Sequence, residues 1–163
     1  MLDYQIRPVR VEDAEAVNEL RRQPGVMEFT YAIPTERVAE SRKYFESLGP
    51  NDHVLVVEVA GRVVGIGGLH VQTGKRRHLG TVGISIHDDF QGQGLGRALM
   101  TALLDLADNY LGLRRVQLDT WADNARAIHL YESLGFEVEG RQREAVYRRG
   151  EYLDLILMAR LRR

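Results

Sequence analysis

Residues 82–107, VGISIHDDFQGQGLGRALMTALLDLA, place three glycines between an apolar run and a helical pattern. The run predicts a strand, and the spacing of the apolar residues after it predicts an amphipathic helix. The first amides of a helix have no intrahelical partner and lie at the positive end of its dipole. Because Gly92, Gly94 and Gly96 carry no Cβ, an anion can approach these amides, with Arg97 beside them. The junction therefore predicts a phosphate site, for which a flexible turn is the alternative.

Three phosphate-binding patterns compete for this loop. A Walker loop needs Gly-Lys followed by Ser or Thr, whereas Arg97 and Ala98 stand at that place. The dinucleotide fingerprint needs G-x-G-x-x-G, but the glycines alternate here, and a hairpin rather than a series of βαβ units precedes them. Residues 91–96 fit the third pattern, Q-x-x-G-x-G, which is the best match.

The other segments predict a mixed α/β fold in the order β-α-α-β-β-β-α-β-α-β-β. Strands are expected at residues 4–10, in two arms of a hairpin turning near Ala60-Gly61, and at 78–87, 114–121, 136–140 and 151–161. Helices are expected at 13–23, 35–48, 95–106 and 124–135, with Pro24-Gly25 ending the first and Thr35 capping the second. No linker or repeat divides the chain, so we expect one domain of residues 1–163, with a right-handed crossover over 79–121.

The composition excludes several classes of site and partner. With 22 basic and 23 acidic residues the net charge is −1, so no general field favours nucleic acid or an anionic membrane. The absence of cysteine removes disulfides, thiolate metal sites and covalent thiol intermediates, and we expect no bound metal. No apolar segment has the length of a signal peptide or a membrane span, so we expect a cytoplasmic protein.

Two motifs together resemble the GNAT superfamily of N-acetyltransferases. The first is the Q-x-x-G-x-G loop, and the second is residues 123–140, DNARAIHLYESLGFEVEG. The second is similar to the family element Asn-x-x-Ala-x-x-x-Tyr-x-x-x-Gly-Phe, with Asn124, Ala127, Tyr131, Gly135 and Phe136 at the matching positions. Residues 148–161, RRGEYLDLILMARL, look most like the bacterial L-amino-acid N-acetyltransferase branch.

The resemblance implies the GNAT fold and acetyl-CoA as co-substrate. The expected sheet is mixed, has about seven strands, is splayed between the fourth and fifth, and is flanked by about four helices. The pantetheine arm is expected against the main chain of Ile84, Ser85 and Ile86. The pyrophosphate is expected on the loop formed by Gln91, Gly92, Gln93, Gly94, Leu95, Gly96 and Arg97. Asn124 is expected to bond the pantetheine arm, although a helix N-cap is an ordinary use of this residue type.

The implied reaction is direct acetyl transfer to an amine within a ternary complex. Tyr131 is expected to protonate the departing thiolate, although a tyrosine on an apolar helix face commonly only packs. Candidates for the base are Glu28, His78, His87 and Asp119, and His78 and Asp119 are expected to face the cleft from adjoining strands. A lysine-like amine, with a pKa of about 10.4, needs this base more than an α-amino group with a pKa of about 7.7–8.0.

The acceptor pocket is expected between the aromatic-rich loop 26–34 and the end of the strand 114–121, lined by Glu28, Phe29, Tyr31 and Trp121. Such a pocket favours an L-amino acid with an apolar side chain, and its carboxylate needs a cation such as Arg76, Arg77 or Arg126. A small-molecule amine is thus the expected partner. A polyamine, an amine-bearing toxin, a protein N-terminus and a non-catalytic acyl-CoA sensor remain alternatives. A homodimer is expected because many relatives are dimers.

Overall fold

The computed structural model describes residues 2–163 and places seven strands in one sheet, in the order β1-β2-β3-β4-β5-β7-β6. The strands are β1 Gln5–Pro8, β2 Asp52–Val59, β3 Arg62–Val71, β4 Leu79–Ile86, β5 Arg115–Trp121, β6 Glu137–Arg148 and β7 Glu151–Leu161. The α-helices are α1 Ala14–Arg21, α2 Pro24–Glu28, α3 Val38–Glu46, α4 Leu95–Asp105 and α5 Ala125–Ser133. Among the described residues only β4 and β5 pair in parallel, and the other five neighbouring pairs are antiparallel. The predicted mixed α/β class is confirmed.

Helices cover both faces of this sheet. A Cβ added to Gly67 on β3 would lie 2.9 Å from Leu103 and 3.0 Å from Leu99, so α4 packs directly on that face. The apolar stripe of α4 is buried there, through Leu95, Leu99, Met100, Leu103 and Leu104. On the opposite face α1 and α3 form a second, smaller core with β2 and β3, built from Ala14, Val17, Phe45, Val56 and Val63.

The sheet opens where its only parallel pair ends. Residues 79–81 of β4 are paired with residues 115–117 of β5, and no further pair joins these two strands. Beyond Thr81, β4 continues to pair only with β3, while β5 beyond Gln117 continues to pair only with β7. The unpaired lengths of the two strands therefore diverge and leave a cleft between them, as expected for a sheet splayed between its fourth and fifth strands.

Three details of the fold differ from the sequence predictions. Pro24 does not merely end α1, because it is also the first residue of the short helix α2, which makes five α-helices among the described residues. Thr35 is not the cap of α3: Arg37 is the N-cap residue, and its backbone amide donates to Glu40 Oε2 at 2.7 Å. β6 runs to Arg148 instead of ending near residue 140, because bulges keep its charged second half paired with β7.

No helix within residues 2–163 combines the length and the apolar character that crossing a bilayer requires.

Candidate active site

A cavity of about 1380 Å³ occupies the cleft between β4 and β5. It extends from the N-terminal end of α4, past Tyr131 on α5, to the segment that joins α1 to α3. Ordinary small-molecule pockets have volumes of about 300–1,000 Å³, so this cavity has room for a long ligand together with a second, smaller one. Its two ends are called here the loop end, around residues 91–97, and the acceptor end, around residues 28–31 and 119–121.

The glycine loop has the backbone that its sequence predicts. Gly92 and Gly94 have φ angles of +75° and +83°, in the left-handed region that favours glycine. No heavy atom of residues 2–163 lies within 4 Å of the place where a Cβ on Gly94 would stand, so the backbone borders open space. Gly94 is the N-cap residue of α4, whose first amides are free to bind an anion.

Polar contacts fix the loop against its neighbours. Gln91 Nε2 donates to the carbonyl of Ile86 at 3.0 Å, which ties the loop to the end of β4. Arg97 donates to Ser133 Oγ at 2.8 Å, and Arg126 lies 3.4 Å from Gln91 Oε1, so two guanidinium groups flank the loop. The side chain of Leu95 is buried in the core. The loop end therefore has two guanidinium groups beside an exposed backbone.

Ile84, Ser85 and Ile86 line the cavity along the unpaired length of β4. Asn124 lines it as well, and its Oδ1 accepts a hydrogen bond from Ala127 N at 3.3 Å as the N-cap of α5. The cap leaves the Nδ2 amide free of hydrogen bonds within residues 2–163, so both predicted uses of Asn124 are compatible with this position.

Tyr131 lies deep in the cavity wall on α5, with 7% of its surface exposed and its ring 5.9 Å from that of Phe136. Burial, and secondly the charge of Asp119, raise the pKa of Tyr131 to about 12. Its hydroxyl has no hydrogen-bond partner among the residues that the structure describes. A protonated and unengaged hydroxyl at this depth is suited to donate a hydrogen bond or a proton to a ligand.

Asp119 is on β5, two residues beyond the last parallel pair, and lines the cavity. Its side chain is open to the cavity, but the surrounding protein desolvates the carboxyl group and raises its pKa. No ion-pair partner for it lies within the described range 2–163. Asp119 and Tyr131 are thus two titratable groups in one cavity, each with its pKa raised by burial.

The four residues predicted for the acceptor pocket, Glu28, Phe29, Tyr31 and Trp121, all line the cavity. Arg148 of β6 holds this region together: its guanidinium lies 5.4 Å from both the Phe29 and the Trp121 ring centroids and donates to the Glu28 carbonyl at 3.1 Å. It also forms an ion pair with Asp123. The acceptor end therefore has aromatic walls held by a partly buried cation–π stack.

Two predicted base candidates do not reach the cavity. His78 precedes β4 at its closed, paired end, where its carbonyl accepts from the amides of Arg114 and Arg115, so the expectation that it faces the cleft is wrong. His87 is only 3% exposed, and its Nδ1 accepts from Asp89 N at 3.1 Å. Arg76 and Arg77 lie outside the cavity lining too, whereas Arg126 is part of it.

The structure adds cavity residues that sequence reasoning missed. Arg21 of α1 lies at the acceptor end and is held by two hydrogen bonds to Glu36, at 2.7 and 2.9 Å. His70 of β3 lines the wall near Tyr44 of α3. The alternation along β3 shows that Gly68 and His70 share a face, but which face borders the cleft depends on the packing of the helices.

No three His, Cys, Asp or Glu side chains within residues 2–163 cluster as metal ligands.

Comparisons with known proteins agree with this geometry. A model of the acetyltransferase (GNAT) family matches residues 15–136. The L-amino acid N-acetyltransferase AaaT of Escherichia coli K12 is 33% identical over 99% of this chain and 100% of its own length. Spermidine N(1)-acetyltransferase of the same bacterium is 28% identical over 94% of this chain and 83% of its own. The Salmonella typhimurium protein yncA, solved with its cofactor acetyl-CoA, superposes with a TM-score of 0.83 at 27% identity, covering 97% of this chain and 93% of its own.

Proposed function

Because this chain belongs to the acetyltransferase (GNAT) family, we propose that it transfers the acetyl group of acetyl-CoA directly to the α-amino group of an L-amino acid or a close analogue. Its enzyme class is N-acetyltransferase. The observation that carries the proposal is the cleft between β4 and β5, whose lining includes the glycine loop, Tyr131, Asp119 and the aromatic side chains of the acceptor end.

Acetyl-CoA supplies an acetyl thioester, and the loop end supplies its binding groups. The pyrophosphate would accept hydrogen bonds from the amides of residues 92–97 and from the guanidinium groups of Arg97 and Arg126. The unpaired edge of β4 offers main-chain groups of residues 84–86 to the pantetheine arm, with the Asn124 amide opposite.

Tyr131 is the proposed acid and Asp119 the proposed base at the reacting atoms. Tyr131 donates its proton to the sulfur as the carbon–sulfur bond breaks and the carbon–nitrogen bond forms. Asp119 takes the proton that the nitrogen loses in this step, and its raised pKa makes it a stronger base than a fully solvated carboxylate. The raised pKa of Tyr131 keeps the proton on its hydroxyl until the thiolate develops.

The charges of the acceptor end favour a substrate with one ammonium group. Glu36, Glu40 and Asp123 line the cavity in ion pairs with Arg21, Arg37 and Arg148. This leaves Glu28 and Asp119, among the described acidic residues of the lining, without an ion-pair partner. A polyamine with three or more ammonium groups would need more free carboxylates than these.

Arg21 is the proposed partner of the acceptor's carboxylate. Glu36 binds its Nε and one terminal nitrogen, and the second terminal nitrogen keeps its N–H donors for a ligand. Phe29, Tyr31 and Trp121 favour an apolar side chain such as that of methionine or phenylalanine. A single domain, a cytoplasmic location and a homodimer stay predictions from the sequence.

The test is acetyl-CoA-dependent thiol release against the twenty free L-amino acids, spermidine and a short peptide. We expect turnover of apolar L-amino acids, reduced about 100-fold in Tyr131→Phe. Tyr110→Phe is the matched control, because Tyr110 is 77% exposed and outside the cavity. Turnover of spermidine alone would identify a polyamine enzyme, and acetyl-CoA binding without any turnover would support a sensor.

A further inference from the structure

A hydrogen-bonded chain of three side chains lies along the acceptor wall of the cavity. Asp52 Oδ1 is 2.8 Å from Nδ1 of His70, and Nε2 of the same ring is 3.2 Å from the hydroxyl of Tyr44. The three residues come from β2, β3 and α3, and His70 and Tyr44 both line the cavity.

The hydrogen bonds among these three side chains determine which ring nitrogen of His70 carries the proton. Asp52 also accepts a hydrogen bond from the amide of Gly49 at 2.9 Å, and this bond, with that from His70, lowers the pKa of Asp52. An ionised carboxylate only accepts, so Nδ1 of His70 is the donor. In the neutral ring Nε2 then has a free lone pair, which accepts from the Tyr44 hydroxyl. Burial is the main cause that raises the pKa of Tyr44, which keeps this hydroxyl protonated.

The strand register places His70 on the same face of the sheet as Asp119. His70 is paired with Thr81, and Thr81 with Gln117, so these side chains share one face. Asp119 follows Gln117 by two residues and points the same way. The next row, Gly68 paired with Gly83, has no side chains, and nothing lies within 4 Å of a Cβ added to Gly83. The row between His70 and the cleft therefore has no side chain of its own.

Gly68 also makes room for the imidazole ring itself. A Cβ added to Gly68 would lie 2.9 Å from Nε2 of His70, closer than real Cβ contacts allow. The imidazole ring therefore occupies the space over the glycine, with its orientation held by Asp52 on one side and Tyr44 on the other. This is the arrangement of a base whose tautomer and direction are set by an acidic partner.

We propose that His70, oriented by Asp52 and linked to the cavity through Tyr44, takes the proton that the acceptor's ammonium group must lose before it attacks acetyl-CoA. The proposal rests on the proposed acetyltransferase function. Tyr44 receives the ammonium proton on its oxygen as its own proton passes to Nε2 of His70. The free amine then forms the new bond to carbon.

The protons balance over the whole reaction. The ammonium loses one proton to His70, which releases it to solvent at the rim, where 37% of the His70 side chain is exposed. The nitrogen loses a second proton to Asp119 as the amide forms, and the sulfur gains one from Tyr131. Tyr131 regains its proton from Asp119, so one proton in total leaves with the products.

His70 is not isolated from other charges. Asp52 of β2 and Tyr44 of α3 contact it directly, and the charge of Arg21 of α1 lowers the pKa of Tyr44. Glu40 of α3 and Asp119 of β5 line the same cavity. The acid limb of the pH profile therefore belongs to this set, with His70 as the group whose removal should change it most.

The test compares His70→Gln, Asp52→Asn and Tyr44→Phe with the matched control His78→Gln, which lies outside the cavity. With the amino acid that the wild type turns over, we expect His70→Gln to lower kcat about 100-fold, the usual worth of a general base. Its KM should change less than about threefold, and the acid limb of kcat against pH should change more than in the other variants. Asp52→Asn and Tyr44→Phe should each lower kcat about 10-fold, and His78→Gln should match the wild type.

Acetyl-CoA binding and thermal unfolding are measured for every variant, so that a folding defect is seen as such. If His70→Gln unfolds, the kcat of Asp52→Asn tests the proposal instead. The Asp52 side chain is about a third exposed, so this substitution is expected to leave the protein folded. Retention of wild-type kcat by the folded variants, or a rise of KM alone, overturns the proposal. A wild type that binds acetyl-CoA but acetylates none of the amines refutes instead the proposed function on which it rests.

Discussion

The two ends of the cavity are built in different ways. The loop end comes mainly from one continuous stretch, residues 91–97, and offers mainly backbone groups. The acceptor end joins side chains from α1, α2, α3, β3, β5 and β6 that are up to about 130 residues apart in the chain, such as Arg21 and Arg148. A ligand bound by backbone amides requires glycine at fixed spacing, whereas a ligand bound by side chains can be served by many combinations. Recognition of the acetyl donor therefore depends on one stretch of the sequence, whereas recognition of the acceptor depends on the tertiary fold.

The largest expected effect is a loss of acetyl-CoA binding at the loop end that backbone strain alone does not cause. Gly94→Ala should weaken acetyl-CoA binding about 100-fold, since its Cβ enters the space from which an anion approaches the amides. Gly112→Ala is the control, because Gly112 also has a positive φ, of +62°, and an unobstructed Cβ position. Both variants should lose about 1–2 kcal/mol of stability, but only Gly94→Ala should lose binding in calorimetry. Equal Kd values would show that the loop does not hold the pyrophosphate.

A smaller effect, confined to the acceptor end, is expected for Arg21→Gln. It should raise KM for L-amino acids about 10-fold, the worth of one hydrogen bond to a charged group, and leave the acetyl-CoA Kd unchanged. For an amine without a carboxylate, such as phenylethylamine, KM should hardly change. Arg22→Gln, on the exposed neighbour, serves as the control. An equal loss with both kinds of amine would mean that Arg21 acts only by holding Glu36.

A contact between the two ends limits the contrast. Asp88 Oδ2 accepts a hydrogen bond from the amide of Gly25 at 2.9 Å, and Asp88 Oδ1 lies 3.4 Å from Gln91 Nε2. One carboxylate therefore joins α2, next to the acceptor end, to the glycine loop. Asp88→Ala should therefore raise both the acetyl-CoA Kd and the acceptor KM, each about threefold. Asp89→Ala, at the exposed neighbour, should change neither. A change in only one of the two constants would show that the ends are independent.

The smallest kinetic effect is expected at a pair that belongs to neither end. Arg160 hydrogen-bonds Asp108 at 2.9 and 2.6 Å and lowers its pKa. The lowered pKa means that this stabilisation is present above the unfolded aspartate pKa of about 3.9 and is lost as pH falls through the lower folded value. Asp108→Asn should lose about 1–2 kcal/mol of unfolding free energy at pH 7, with the difference shrinking below about pH 4. Urea unfolding measures it, Asp105→Asn is the control, and kcat should not change.

The fold was largely predictable because its signals are local. The periods of 2 and 3.6 and the Gly and Pro positions gave the element order, and among the described α-helices and strands only α2 and the second half of β6 were missed. Residues 24–28 are too few to show a helical period, and residues 141–148 are charged on an edge strand that pairs through bulges. The residues of the cavity wall were harder to predict, as His78 shows. The sequence indicates that His78 stands at the start of a strand, but which end of that strand borders the cleft depends on the pairing of β4 with β5.

The sequence by itself determined the glycine loop and the positions of Asn124 and Tyr131, because a backbone cradle and a helix face are set by residues near one another in the chain. The tertiary structure alone decided that β4 and β5 part after three pairs, that Asp119 and not His78 faces the opening, and that Asp52, His70 and Tyr44 meet. These contacts join residues between 18 and 26 positions apart, or separate strands, and depend on which face of the sheet each helix covers. Packing, not local propensity, makes that choice.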